Sequence, residues 1–219
     1  MPDHNPPSLR QLSQLAADQV LRQTRMVKTM AKAGVIRPHN PVRLAAAAKT
    51  ILDKGIGCAG GIGAQAALNP DRVAVIDELG SLTWDELDKR STRLARALAD
   101  RGVTSRDSIS VLCRNHRYFI EASTAASKLG ADILYLNTAF AAPQLADVCA
   151  REEPSFVIHD QEFNGLMERS QINQERILAF IDNPQEVTLP TIEDLIQRSS
   201  SRAMTKPPPT PTATTAWAR

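Results

Sequence analysis

The residues equipped to do chemistry are a glycine run, a histidine–aspartate neighbour pair and three scattered thiols. Gly55, Gly57 and Gly60 fit GxGxxG, and Asp77 follows about twenty residues on, at the end of VAVID. That spacing cradles a pyrophosphate when a strand leads directly into the first glycine and a helix N-terminus follows. Here an alanine-rich segment of helical pattern comes first, so the glycines are read as a hinge that ends one helix and admits another over 62–68. His159-Asp160 ends an apolar run and could work as acid and orienter. No serine or cysteine nucleophile is identifiable beside it, and the histidine is read as structural. His116 is placed at a helix start with Asn115 as its cap. Asn137-Thr138 is read as a turn. Cys58, Cys113 and Cys149 form no CxxC pattern, and the last two sit in apolar runs as core fillers. No catalytic, cofactor-binding or metal-ligating residue is assigned on these grounds.

The elements that must position such groups centre on Ser108–Thr138. SISVLC, an amphipathic segment of roughly four turns and ADILYLNT predict a strand–helix–strand unit with parallel strands and a right-handed crossover. Upstream, Val73–Asp77 and Ser81–Trp84 read as a hairpin closed by Glu78-Leu79-Gly80. Thr83-Trp-Asp-Glu86 spells a capping box, and the following helix places Leu87, Ser91, Leu94, Ala95 and Leu98 on one face before Gly102. Downstream come a helix from Pro143 to about Glu153, a strand Phe156–His159, a helix Phe163–Arg169, a strand Arg176–Phe180 and a helix Ile192–Arg198. This alternation predicts an α/β fold, an incomplete doubly wound sheet carrying an N-terminal helical arm.

Composition bounds the functions. A hydrophobic fraction of 42% allows a real core, but aromatics are 4%, which disfavours nucleic-acid binding by stacked rings. Residues 1–54 hold nine Lys/Arg against Asp3, Asp18 and Asp53, so the charge is concentrated at the start of the chain. Helices over 9–30 and 42–54 would form a basic pair able to lie on an anionic membrane surface or to pack on their own domain. No run of eighteen apolar residues and no signal-peptide core is present, so a cytoplasmic setting is expected, with peripheral contact at the inner membrane face through residues 9–54 as an option. From Ser199 onward proline, serine and threonine dominate, and a disordered tail is expected.

Several ordered blocks resemble the adenylate-forming (AMP-binding) enzymes. Asn69-Pro-Asp-Arg before VAVID, then Leu82-Thr-Trp-Asp-Glu-Leu87, is similar to their opening, with Trp84 where that family has tyrosine. Asn115 and Lys128-Leu-Gly-Ala-Asp-Ile-Leu-Tyr-Leu-Asn-Thr138 resemble the next blocks. Around Arg114-Asn-His-Arg117 and Val157-Ile-His-Asp160 the likeness is to the fatty-acyl-CoA synthetase branch. Arg106 stands where the family has glycine, which predicts a strained turn.

The resemblance implies the N-terminal subdomain of the acyl-CoA synthetase fold. It also implies a chemistry in which ATP activates a carboxylic acid to an acyl-adenylate and coenzyme A then takes the acyl group, with Mg2+ assisting. Yet no TSGTTGxPKG-like phosphate loop or YGxTE-like motif occurs in these 219 residues. The expectation is therefore an N-terminal piece of a fatty-acid–CoA ligase, cut before its phosphate loop, inactive alone and binding no cofactor itself, with a complementing ligase chain as a partner to be considered. The expected organisation is a basic arm (1–54), a glycine-rich hinge with a short helix (55–68), a partial AMP-binding domain (69–198) and the tail (199–219). A binding module docking on a membrane or a related ligase, and a nucleotide-binding oxidoreductase resting on the glycine run, are the rival classes. A cut sheet also predicts marginal stability.

Overall fold

The computed structural model describes residues 40–199 and two isolated positions, Arg25 and Thr29. The expected helix over 9–30, Arg25 and Thr29 aside, and the expected tail over 199–219, Ser199 aside, lie outside the described residues. The chain divides into two compact units, Met1–Pro41 and Val42–Arg219. Within the second, α1 (Pro41–Lys54) and α2 (Cys58–Leu68) precede a hairpin of β1 (Val73–Asp77) and β2 (Gly80–Thr83). Then follow α3 (Trp84–Ala99), β3 (Ser108–Leu112), α4 (Arg117–Leu129), β4 (Asp132–Tyr135), α5 (Ala142–Glu152), β5 (Phe156–His159), α6 (Asn164–Ser170), β6 (Glu175–Leu178) and α7 (Ile192–Arg198).

The strands β4-β3-β5-β6 form one parallel sheet in that order. Both faces are covered, so its inner strands read as unbroken apolar runs, and every residue of Phe156-Val-Ile-His159 is buried. Alternation along β3 splits the core in two. Ile109 and Val111 join Leu94, Leu98, Ala122, Ala125, Ile158, Ile177, Ile192 and Ile196 in the cluster that holds α3, α4 and α7. Leu112 and Val157 face Leu145, Cys149, Phe163 and Met167 from the α5–α6 side. Alanines 122, 125 and 126 are fully buried on α4, and their small side chains let the helix lie close to the strands.

Local signals act as the residues dictate. The Thr83 hydroxyl accepts from the Glu86 amide at 3.3 Å and Glu86 accepts from the Thr83 amide at 2.8 Å, a complete capping box. Gly130 closes α4 in the left-handed region at φ 72°.

Three expectations need correction. The glycine hinge is shorter than expected: Gly55 and Gly57 separate α1 from α2, but α2 starts at Cys58 and not at residue 62, so Gly60, Gly61 and Gly63 lie inside a helix. Gly60 is there because a Cβ would meet the Gly55 carbonyl oxygen at 1.9 Å. Asn115 is not the cap of α4. His116 occupies that position without a side-chain cap bond, because its ring is turned to Asp160. Arg106 does not have a positive φ; among the described residues the non-glycine positions that do are Glu153 and Gln171. The turn is held instead by the Asp107 carboxylate, which accepts from the Thr104 amide and hydroxyl, each at 2.7 Å.

Candidate functional site

Strand order fixes where a ligand would sit. After β3 the chain moves through α4 to β4 on one side, whereas after β5 it moves through α6 to β6 on the other. The carboxyl ends of β3 and β5 therefore flank the topological switch point, the place where open α/β sheets bind ligands. A cavity of about 300 Å³ opens there, lined by Glu78, Arg114, His116, Asp160, Glu162, Phe180 and Asp182.

Its floor is a histidine–aspartate pair that neither residue's sequence neighbours announce. His116 Nε2 lies 2.9 Å from Asp160 Oδ1. Asp160 also accepts from the Arg114 amide at 2.7 Å and the Phe180 amide at 3.1 Å. Burial pushes the Asp160 carboxyl up, but the His116, Arg114 and Phe180 hydrogen bonds outweigh it and hold the group below the ordinary carboxylate range. His116 packs between Tyr118 and Phe180, and its Nδ1 is buried with no partner. The Cys113 thiol lies beside the pair, with its Sγ 3.8 Å from the Ile158 carbonyl, and burial next to Asp160 pushes it well above its usual pKa. Such a thiol is not a ready nucleophile.

His159 and Asp160 do not form an acid–orienter pair, the option that the sequence reading set aside. His159 is fully buried, its Nδ1 facing the Asp160 carbonyl oxygen at 2.9 Å, and it does not line the cavity. Desolvation pushes its pKa down, so the ring stays neutral in a structural role. Asn137 makes the turn expected of it, accepting from the Ala139 amide at 2.9 Å. Cys149 is fully buried and Cys113 nearly so, while Cys58 is exposed.

Asp77, the would-be ribose acid of the glycine pattern, is committed elsewhere. It accepts from the Arg117 amide at 2.9 Å and from the Arg117 guanidinium at 2.6 to 3.0 Å, so the hairpin is fastened to the first turn of α4. The same contact occupies the helix N-terminus that would otherwise be open to an anion. Arg114 is held by Glu162 through two bonds of 2.7 and 2.8 Å. With Arg114 paired to Glu162, and Glu78, Asp160 and Asp182 on the walls, the crevice is predominantly acidic.

Two further networks tie the helices together and carry no local sequence signature. Arg90 joins fully buried Glu121 on α4 to Glu193 on α7. Lys128 Nζ donates to the Asp88 carbonyl and carboxylate, Ser91 and Thr92 at 2.7 to 2.9 Å.

The comparisons with known proteins agree with this architecture. Residues 62–216 match the model of the AMP-binding enzyme family, a match that runs past Ser199. The medium/long-chain-fatty-acid–CoA/3-oxocholest-4-en-26-oate–CoA ligase of Mycolicibacterium smegmatis is 27% identical over 95 residues, 43% of this chain and 17% of its own length. The 2-succinylbenzoate–CoA ligase of a Geobacillus species is 33% identical over 104 residues, 48% of this chain and 21% of its own. Among solved structures, a benzoate CoA ligase from Burkholderia xenovorans superimposes with a TM-score of 0.59 at 20% identity, over 66% of this chain and 29% of that one. The chain thus spans about a fifth of the length of these curated relatives. With a match covering well over half of its residues and the sheet to go with it, the chain belongs to the AMP-binding enzyme family.

Proposed function

We propose that these residues build the first α/β layer of an ATP-dependent fatty-acid–CoA ligase and do not catalyse by themselves. The single observation carrying the second half is the switch-point crevice, whose lining arginine, Arg114, is paired with Glu162 and whose walls add Glu78, Asp160 and Asp182. The missing phosphate loop supports the same reading. A complete enzyme of this kind would use ATP, Mg2+ and coenzyme A, with groups outside these residues gripping the phosphates. The fatty-acid class is supported by the likeness around Arg114–Arg117 and Val157–Asp160 and by the name of the Mycolicibacterium relative. Along the chain we place a basic arm over 1–54, the glycine-rich segment over 55–68, the partial domain over 69–198 and a tail over 199–219.

ATP–pyrophosphate exchange tests this directly. The 219-residue chain with a fatty acid, ATP and Mg2+ should give the rate of a protein-free control; exchange above it overturns the inactive reading. The acyl class is tested by grafting residues 62–198 into the Mycolicibacterium ligase. A folded chimera that forms aromatic but not fatty acyl-CoA contradicts the fatty-acid assignment.

One observation favours a second reading, a non-catalytic docking module at the inner face of the membrane or on a related ligase chain. Leu52 and Ile56 are 85% and 97% exposed at the end of α1, near Lys49 and Lys54. Among the described residues no helix is long and apolar enough to cross a membrane, so contact would be peripheral. Co-sedimentation with anionic vesicles, with and without residues 1–54, separates the readings: retention that needs the arm supports docking, and none at low salt rejects it.

A further inference from the structure

The geometry points to a divalent metal site of the zinc class at the switch point, built from Cys113, His116 and Asp160. Their donor atoms all lie within 4.8 Å of one another, and the three residues are 7%, 6% and 2% exposed. Two loops converge to make it: residues 113–116 leave β3, and residue 160 leaves β5, which is paired with β3 through Leu112↔His159. Sequence reading finds no such site because the donors are spread over 48 positions and form no ligand-spacing motif.

The ring's orientation brings three donor types to one place: His116 Nε2 is aligned on Asp160 Oδ1 at 2.9 Å, and the buried Cys113 thiol lies beside them. The cavity walls suit a cation: Glu78, Glu162 and Asp182 face the same space, and the only lining cation, Arg114, is already paired with Glu162.

Donor chemistry selects the ion. One sulfur, one imidazole nitrogen and one carboxylate oxygen suit zinc or cobalt, not magnesium, which requires an octahedral oxygen shell. Bonds of about 2.0–2.3 Å place the ligands of a tetrahedral ion roughly 3.3–3.7 Å apart, so the widest donor pair must contract by about 1.5 Å at most. Three protein donors leave the fourth position facing the cavity, open to water or a wall carboxylate. On binding, the Cys113 S–H bond breaks, the proton passes to solvent and the thiolate sulfur bonds the metal. The ion would then fasten the loop after β3 to the loop after β5.

Co2+ is the direct probe, because thiolate coordination gives a charge-transfer absorption that oxygen and nitrogen ligands do not. The metal-free 219-residue chain should bind one equivalent with that band, Zn2+ should displace it, and excess Mg2+ should not. Cys113→Ala should abolish the band, and His116→Gln, which retains a donor toward Asp160, should weaken Co2+ at least tenfold. Cys58→Ser and Cys149→Ala should leave both unchanged. Should Cys113→Ala fail to fold, the unaltered protein still decides: Zn2+ must raise its melting temperature at pH 7.5 in step with occupancy. Absence of the band in the unaltered protein, or a band lost with Cys58→Ser and kept with Cys113→Ala, overturns the site.

Discussion

Asp77→Asn should cost the domain about 2 kcal/mol at neutral pH, and the loss should itself depend on pH. In the folded protein Asp77 receives the Arg117 guanidinium, the Arg117 amide and the Leu79 amide, and its side chain is 3% exposed. The hydrogen bonds from the Arg117 side chain are the main reason its pKa falls from 3.8 to about 2, with burial opposing them. At 1.36 kcal/mol per unit, a depression of nearly two units is worth about 2 kcal/mol of folding stability. Because the folded pKa is the lower one, that stability is fully present above about pH 4 and is lost as pH falls toward 2. Stranding the largely buried Arg117 charge pushes the cost upward, toward about 3 kcal/mol. Urea unfolding of both proteins at pH 7, 4 and 2 reads the effect as a midpoint difference that shrinks across the acidic end. A difference below about 0.5 kcal/mol at pH 7, or one equally large at pH 2, refutes the idea that this carboxylate fastens the hairpin to α4.

Other parts of the structure make equally definite demands. Burial depresses the Lys128 pKa to about 8 against the help of Asp88, so stability should rise between pH 8 and about 10.5, where only the unfolded chain holds the proton; Lys128→Met should flatten that rise in denaturant titrations. Glu121→Ala should cost about 3 kcal/mol or more, because it strands Arg90 beside a fully buried position, whereas Glu193→Ala at a 38% exposed side chain should cost about 1 kcal/mol or less; chemical denaturation separates them. Gly63→Ala should destabilise, since its Cβ would come within 2.7 Å of Thr50 Cγ2, while Gly61→Ala, with nothing within 4 Å, should stabilise by about 0.5–1 kcal/mol in thermal melts.

Local physics made much of the fold legible. The Thr83–Glu86 capping box, the Gly80 turn and the Ile192–Arg198 helix follow from neighbouring residues, and each forms as its residues dictate. Alternation through Ser108–Thr138 sufficed for the parallel unit because a buried strand and a one-faced helix leave different periodicities. The glycine-rich segment misled in the opposite direction: propensity disfavours a helix there, but Gly60 and Gly63 permit approaches to Gly55 and Thr50 that a side chain would block. Tertiary packing decided it.

The site was far less legible. Asp160 was noticed for the wrong partner, because adjacency suggests His159 while the β3–β5 register delivers His116 from 44 positions away. Asp77 with Arg117, Glu121 with Arg90 and Lys128 with Asp88 likewise meet across 31 to 40 positions. No local spacing encodes such pairs. Only strand order does, and strand order is a property of the whole sheet.

The most direct test of the account as a whole is equilibrium dialysis of the 219-residue chain against radiolabelled ATP with Mg2+. A scaffold whose crevice is walled by carboxylates, with Arg114 already held by Glu162, should show no saturable binding up to millimolar nucleotide. Stoichiometric, saturable uptake that survives excess AMP-free competitor protein and vanishes when the Asp160 edge is altered would contradict the claim that this layer lacks a grip on triphosphate.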